Sequence, residues 1–283
     1  MQAVFSFCTK FMDAQNPHAG FADAEAFRCS CILSVLLARQ QLGRAVLYTD
    51  SRGARLLEQL QLPFDEVHVV FDYFPYPPHL WMASKLLTYR RQTVPFVHID
   101  LDAYLWAPLP PRLAGAAIIA QSSEEDYGCY DGVLAHCLRA ADYLPDFMRR
   151  HVARHGAKVR ALNAGIYGGH DLTTVAACCD AAFAILEHPA NEPMLAGLLA
   201  GHAHGGGLFY DFNILLEQYV AAVYCHEHEV PVSYVLSGHE APYFTHLLAG
   251  AKRHPDNTAQ LKSRVARDYP YHYQLARQAG APG

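Results

Sequence analysis

Three apolar, β-type runs in the first hundred residues each end on a polar or acidic residue, and helix-spaced segments separate them. Residues 2–8 run into Thr9, residues 45–49 into Asp50, and residues 94–99 into Asp100-Leu101-Asp102. Between them, residues 24–41, 52–60 and 81–91 read as helices, and Gly43 follows the first of these as a stop signal. Residues 66–71 form a further β-type run, and Pro75, Pro77 and Pro78 break the chain after it. This βαβαβ-like alternation predicts an α/β fold with a mostly parallel sheet flanked by helices. Functional groups in such sheets gather at the carboxyl ends of the strands, where Thr9, Asp50, Asp100 and Asp102 all fall.

The acidic pair is the sharpest chemical signal. Side chains alternate along a strand, so Asp100 and Asp102 would share a face if the extended geometry persists through Leu101. Two neighbouring carboxylates repel, and a hard divalent cation bridging to phosphate oxygens is a common way to hold them together. A bare Asp-x-Asp also occurs as a strand end that caps a turn. The nearly all-apolar strand ahead of it, and Lys85 upstream, favour the cation.

The remainder is less regular. Residues 116–121 and 230–235 read as strands, and 161–170 as a strand with small residues at its centre. Residues 139–157 (interrupted at Pro145), 172–186, 192–199 and 211–222 read as helices. The glycine-rich loop from His202 to Gly207 has the composition of a mobile lid, and the aromatics and prolines from Tyr73 to Pro78 suit a stacking wall or simple core packing. Glu124, Glu125 and Asp126 form an acidic loop that could instead serve an acceptor or act as a base. The tail from Ala251 mixes helix with loop, with frayed final residues. His226-Glu227-His228-Glu229 lacks the His-x-x-x-His spacing of a helical metal site; on a strand His226 and His228 would share a face, as zinc ligands could.

With 283 residues, 52% of them hydrophobic, the chain can bury one large core. The expected organisation is a single domain in two halves, 1–107 and 108–255, followed by a tail at 256–283. A net charge of −5 and the lack of a Lys/Arg block argue against nucleic acid as a partner. The basic residues Arg149, Arg150, Arg154, Lys158 and Arg160 read as a solvated helix face, or as contacts for an acidic acceptor. No apolar span is long enough for an integral membrane segment, and the N-terminus lacks the basic and apolar regions of a signal peptide. Eight cysteines without a Cys-x-x-Cys pair fit a reduced, cytoplasmic protein.

Taken in order, four features resemble the GT-A type of nucleotide-sugar glycosyltransferase: the mostly parallel N-terminal half, Asp100-Leu101-Asp102 at a strand end, Leu162-Asn163-Ala164-Gly165-Ile166-Tyr167, and the segment from Thr245 to Lys252. The last is similar to the C-terminal His…Gly…Lys segment of the glycogenin-like retaining group. Its Gly250 stands one place later than in the usual His-x-x-Gly-x-x-Lys pattern, and Asp211-Phe212-Asn213 is the nearest match to that group's Asp-Gln motif.

The resemblance implies a GT-A, Rossmann-like fold, with a nucleotide-binding half at 1–107 and a sugar or acceptor half at 108–255, and a hexosyltransferase-like enzyme. It would transfer a sugar from a nucleotide-diphosphate donor, a UDP-sugar by preference, to an acceptor that is a glycan, a peptide or a small molecule. Mn²⁺ or Mg²⁺ would be bound by Asp100, Asp102 and His246, the imidazole favouring Mn²⁺. Phe7, Cys8, Thr9 and Asp50 would face the base or ribose. Leu101 belongs to the donor-binding turn, and Gly250 and Lys252 to the diphosphate site. Asn163, Ala164 and Gly165 would line the sugar pocket, and Lys85 would reach the donor sugar or the second aspartate. Asp211 would serve acceptor binding or catalysis, or else cap a helix. Two other readings are a nucleotidyltransferase acting on a sugar phosphate, and a non-catalytic carbohydrate- or protein-binding module on a transferase scaffold. Lys10 is the only basic residue in the first loop, which lacks the Gly-rich, basic character of nucleotidyltransferases, and the intact acidic pair argues against a decayed scaffold.

Overall fold

A computed structural model describes residues 1–12, 16–77, 79–125, 128–156, 160–203, 207–236 and 244–279. In chain order the N-terminal elements are β1 (Gln2–Phe7), α1 (Ala24–Leu42), β2 (Ala45–Thr49), α2 (Ser51–Glu58), β3 (Glu66–Val69), α3 (Met82–Arg90), β4 (Phe96–Ile99) and β5 (Ala103–Leu105). There follow β6 (Ile118–Ala120), β7 (Ser123–Glu125), α4 (Gly128–Ala140), α5 (Asp146–His155), β8 (Arg160–Leu162), β9 (Ile166–Gly169), α6 (Leu172–Glu187) and α7 (Glu192–Ala203). The last elements are α8 (Leu208–Ile214), α9 (Val220–Glu227), β10 (Val232–Tyr234), β11 (Phe244–His246), α10 (Pro255–Asp268) and α11 (Pro270–Gln278).

The chain divides into two compact units. The first comprises Met1–Pro78, Phe96–Pro110 and His239–Gly283, and the second His79–Pro95 and Pro111–Gly238. In the first unit β1 pairs in parallel with both β2 and β4, and β2 with β3. β1, β2 and β4 carry Ala3, Val4, Phe5, Val46, Leu47, Phe96 and Val97, all nearly or wholly buried, as expected of parallel strands covered on both faces. Helix α1 starts where Asp23 accepts from Ala26 N at 2.8 Å, and it stops where Gly43 adopts a left-handed φ of 77°. It packs on β1, β2 and β5. A short antiparallel ladder joins β11 to β5, with His246 opposite Ala103. The tail forms the helices α10 and α11, and the final residues 280–283, expected to fray, lie outside the described residues. α10 and α11 pack on α1 through Leu261, Val265 and Ala276, which are buried, so hydrophobic burial fixes what composition left irregular.

In the second unit β6 runs parallel to β10 and antiparallel to β9, and β7 pairs with β8. The strand expected across 161–170 is two strands, parted at Asn163-Ala164-Gly165, because Asn163 Oδ1 accepts from Gly165 N at 2.9 Å and turns the backbone there. The helix expected from Asp211 begins at Leu208 and reaches Glu227 through a π-helical turn at Leu215–Tyr219. Asp211 therefore lies in its first turn and is not its cap. The expected mixed, mostly parallel sheet flanked by helices is what the chain builds. No helix among the described residues is long and apolar enough to cross a membrane.

Candidate functional site

The acidic pair converges by a route the strand argument did not foresee. β4 ends at Ile99, and a tight turn, closed by Ala103 N donating to the Asp100 carbonyl at 2.9 Å, leads into β5. Extended alternation thus stops before Asp102, and the turn gathers the carboxylates instead. Two serines one helical turn apart on buried α1 hold it: Ser34 donates to the Asp100 carbonyl at 2.9 Å and Ser30 to the Leu101 carbonyl at 2.7 Å. Ser30 and Tyr104 share a further hydrogen bond. The sequence signal for this support was a pair of hydroxyls on an otherwise apolar helix face.

The β5–β11 ladder carries His246 to the same place. Its Nε2 lies 3.2 Å from Asp102 Oδ1 and 3.9 Å from Asp100 Oδ2. The ligand atoms of Asp100, Asp102 and His246 all lie within 4.8 Å of one another. Asp102 Oδ1 is buried and takes no hydrogen bond among the described residues. Two carboxylates and an imidazole gathered at these distances fit a small divalent cation.

Lys252 forms an ion pair with Asp102, and its ammonium sits 5.4 Å from the Phe21 ring. Burial works to raise the Asp102 carboxyl, but the Lys252 ammonium and the His246 ring overcome it and hold the group well below the usual carboxylate range. Behind Asp100, His98 Nδ1 lies 3.6 Å from its Oδ1, and His98 Nε2 shares a hydrogen bond with Ser6 at 2.9 Å. Gly250 lies in the short helical turn Ala249–Arg253, with open space where a side chain would project.

Thr9 and Asp50 also stand at carboxyl ends, β1 and β2 respectively, but they serve each other. Asp50 accepts from Thr9 N at 2.6 Å, from the Thr9 hydroxyl at 2.9 Å and from Gly53 N at 2.6 Å, capping α2. Phe7 is buried and packs against Phe27. Burial pushes the Cys8 thiol up to about 12, which leaves it protonated at neutral pH.

The second unit holds its own buried polar cluster. Lys85 on α3 forms a 2.7 Å ion pair with Glu217 and donates to the Ala164 carbonyl at 3.3 Å. Tyr89 donates to the same Glu217 oxygen at 2.7 Å. Asn163 donates to Glu124 at 2.6 Å, and Tyr130 links Glu124 to Gln218. Glu217 and Gln218 were missed in the sequence. They sit on the π-helical turn, where the extra residue per turn re-aims side chains. The available signal was a polar pair inside the apolar run Leu215-Leu216…Tyr219-Val220. Asp211 is half-buried, and burial raises its carboxyl above the ordinary value. Asn213 pins the His79 carbonyl at 3.2 Å and Met82 N at 3.3 Å, a packing role. Asp126, Lys158, Pro78 and residues 204–206 of the expected lid lie outside the described residues.

Residues 1–278 match the family of unknown function DUF6734, and the chain belongs to that family. No curated protein matches the sequence. Among solved structures, mouse xyloside xylosyltransferase 1 in its apo form overlaps 82% of this chain and 84% of its own, at 11% identity and a TM-score of 0.35. The apo WbbM bifunctional glycosyltransferase overlaps 98% of this chain at 10% identity and a TM-score of 0.39, and this chain spans 51% of it. Overlaps this loose carry no argument about activity.

Proposed function

We propose that the protein is a metal-dependent glycosyltransferase that takes a sugar from a nucleotide-diphosphate donor, a UDP-sugar by preference. The single observation that carries this reading is the convergence of Asp100, Asp102 and His246, whose ligand atoms lie within 4.8 Å of one another, with Lys252 alongside. The cluster follows the carboxyl end of β4, where parallel sheets place phosphate-bearing ligands. Asp100, Asp102 and His246 would hold Mn²⁺ or Mg²⁺. The bound cation supplies Lewis-acid neutralisation of the diphosphate leaving group.

The chain's own residues do the rest. Asp102, held ionised, keeps a full negative charge for the cation at neutral pH. Lys252 lies on a flexible stem that can swing from Asp102 to a phosphate oxygen, acting as a point charge. His98 is buried with its Nδ1 3.6 Å from the Asp100 carboxylate, and the serines of α1 hold the turn. Gly250 leaves the approach beside Lys252 open.

The test is a thermal-unfolding titration with UDP, with and without Mn²⁺. At a ligand concentration about 100 times the dissociation constant, binding adds about 2.7 kcal/mol. Wild-type protein is expected to be stabilised only when both are present, and Asp102→Asn to lose that increment. UDP binding of equal strength in chelator would sink the reading, as would its survival in the variant.

A further inference from the structure

The run His226-Glu227-His228-Glu229 does not form a strand. His226 and Glu227 close the last turn of α9, while His228 caps the helix and lies against Tyr224. The i, i+4 histidine spacing absent from that run is supplied by α5, which packs on α9 in the same unit. His151 and His155 stand one turn apart on α5, so their rings project from one face. The His151, His155 and His226 rings form a triangle with centroid separations of 4.7, 5.0 and 5.1 Å.

Glu227 completes the group. Its Oε1 lies 3.1 Å from His151 Nδ1 and 3.5 Å from His226 Nδ1, while Arg154 meets its Oε2 at 3.2 Å. Arg154 also donates to Oε1 at 3.4 Å, so its guanidinium touches both oxygens, and Oε1 is shared between it and the imidazoles. One ligand atom from each of the four residues lies within 4.8 Å of the others. Charge pairing alone explains this poorly. Glu227 already has Arg154, and three imidazolium rings at these separations would repel one another. Neutral imidazoles, by contrast, bring lone pairs together.

We propose that His151, His155, His226 and Glu227 form a second metal site, of zinc type, separate from the Asp100–Asp102–His246 cluster. Three nitrogens and one carboxylate oxygen match the ligands and number of a tetrahedral Zn²⁺ site, and imidazoles disfavour Mg²⁺ or Ca²⁺. Tetrahedral coordination needs ligand atoms about 3.3 Å apart, so the group must contract. It has the means. His151 and Glu227 are buried and set the fixed half, while His155 and His226 are exposed and can pivot inward. Occupied, the site would staple α5 to α9.

The probe is Co²⁺, titrated into untagged, chelator-stripped protein, with the visible absorption of tetrahedral Co²⁺ as readout and Zn²⁺ as competitor. Wild-type protein is expected to develop that spectrum with an amplitude of one tetrahedral Co²⁺ per chain, whatever further Co²⁺ the Asp100–Asp102–His246 cluster takes up, and to lose it to Zn²⁺. In His155→Ala and His226→Ala, exposed changes that leave the far-ultraviolet dichroism intact, Co²⁺ should bind about 100-fold more weakly or not at all. Asp102→Asn should leave the spectrum unchanged. Absence of a tetrahedral spectrum in wild-type protein overturns the proposal, whatever the variants do. So does a spectrum that survives both histidine changes or that disappears with Asp102→Asn. Loss of UDP and Mn²⁺ binding with the Co²⁺ spectrum intact would count against the transferase reading alone.

Discussion

The Lys85–Glu217 pair offers the most direct check on how the second unit is held together. Glu217 has no exposed side-chain surface, and Lys85 keeps only 9% of its own. Exchanging either residue for a neutral one removes the opposite charge beside an ion buried in a medium that solvates it poorly. Lys85→Met leaves the Glu217 carboxylate with the Tyr89 hydroxyl but without its cation. Glu217→Gln preserves an acceptor for Tyr89 and the Lys85 contact to the Ala164 carbonyl, and removes the anion 2.7 Å from the ammonium. Breaking a buried pair from one side costs about 3–5 kcal/mol. The double variant Lys85→Met/Glu217→Gln buries no charge at this position, so its cost should fall well short of the two single costs added together. A coupling of about 1–3 kcal/mol in a double-mutant cycle is expected, measured by urea unfolding of all four proteins. Additivity to within about 0.5 kcal/mol would refute the reasoning, because it would mean that each group is solvated independently of the other.

Two further outcomes follow from burial. The thiols of Cys8, Cys29 and Cys137 are each raised by burial from 9.0 to about 12, so in the unfolded chain they ionise first. The folded state then holds more protons, and stability is full below pH 9 and falls as pH rises from 9 toward 12, by up to about 1.4 kcal/mol per pH unit for each thiol. Chemical denaturation at a series of alkaline pH values should show this slope, and Cys29→Ala should reduce it; an unchanged slope in the variant would contradict the assignment. Gly169→Ala should destabilise the second unit by more than the roughly 1–3 kcal/mol of ordinary overpacking. Gly169 has φ of 136°, and an added methyl group would meet the Ala117 carbonyl oxygen at 2.1 Å, where the backbone cannot give way. A thermal midpoint equal to that of the wild type would exclude this contact.

The sequence by itself determined the elements of the parallel sheet and the identity of its acidic rim. Apolar runs such as 45–49 and 96–99 are readable because burial on both faces demands continuous hydrophobicity, and strand ends are readable because a carboxylate there has to cap a turn or meet a cation. Local signals of that kind also marked Gly43 and the break at Pro145. Tertiary structure alone decided which polar residues meet. The turn at Leu101 gathers Asp100 and Asp102 where strand alternation stops, and the β5–β11 ladder brings His246 to them from the far end of the chain. Asp50 and Thr9 had the right position for a site, yet spend their hydrogen bonds on each other. Glu217 emerges on a π-helical turn, and His151 finds His226 only because α5 packs on α9. Periodicity records which face of an element is buried. It holds no record of which distant face lies opposite, because that depends on the combined packing of all the elements, and there the chemistry of this chain is assembled.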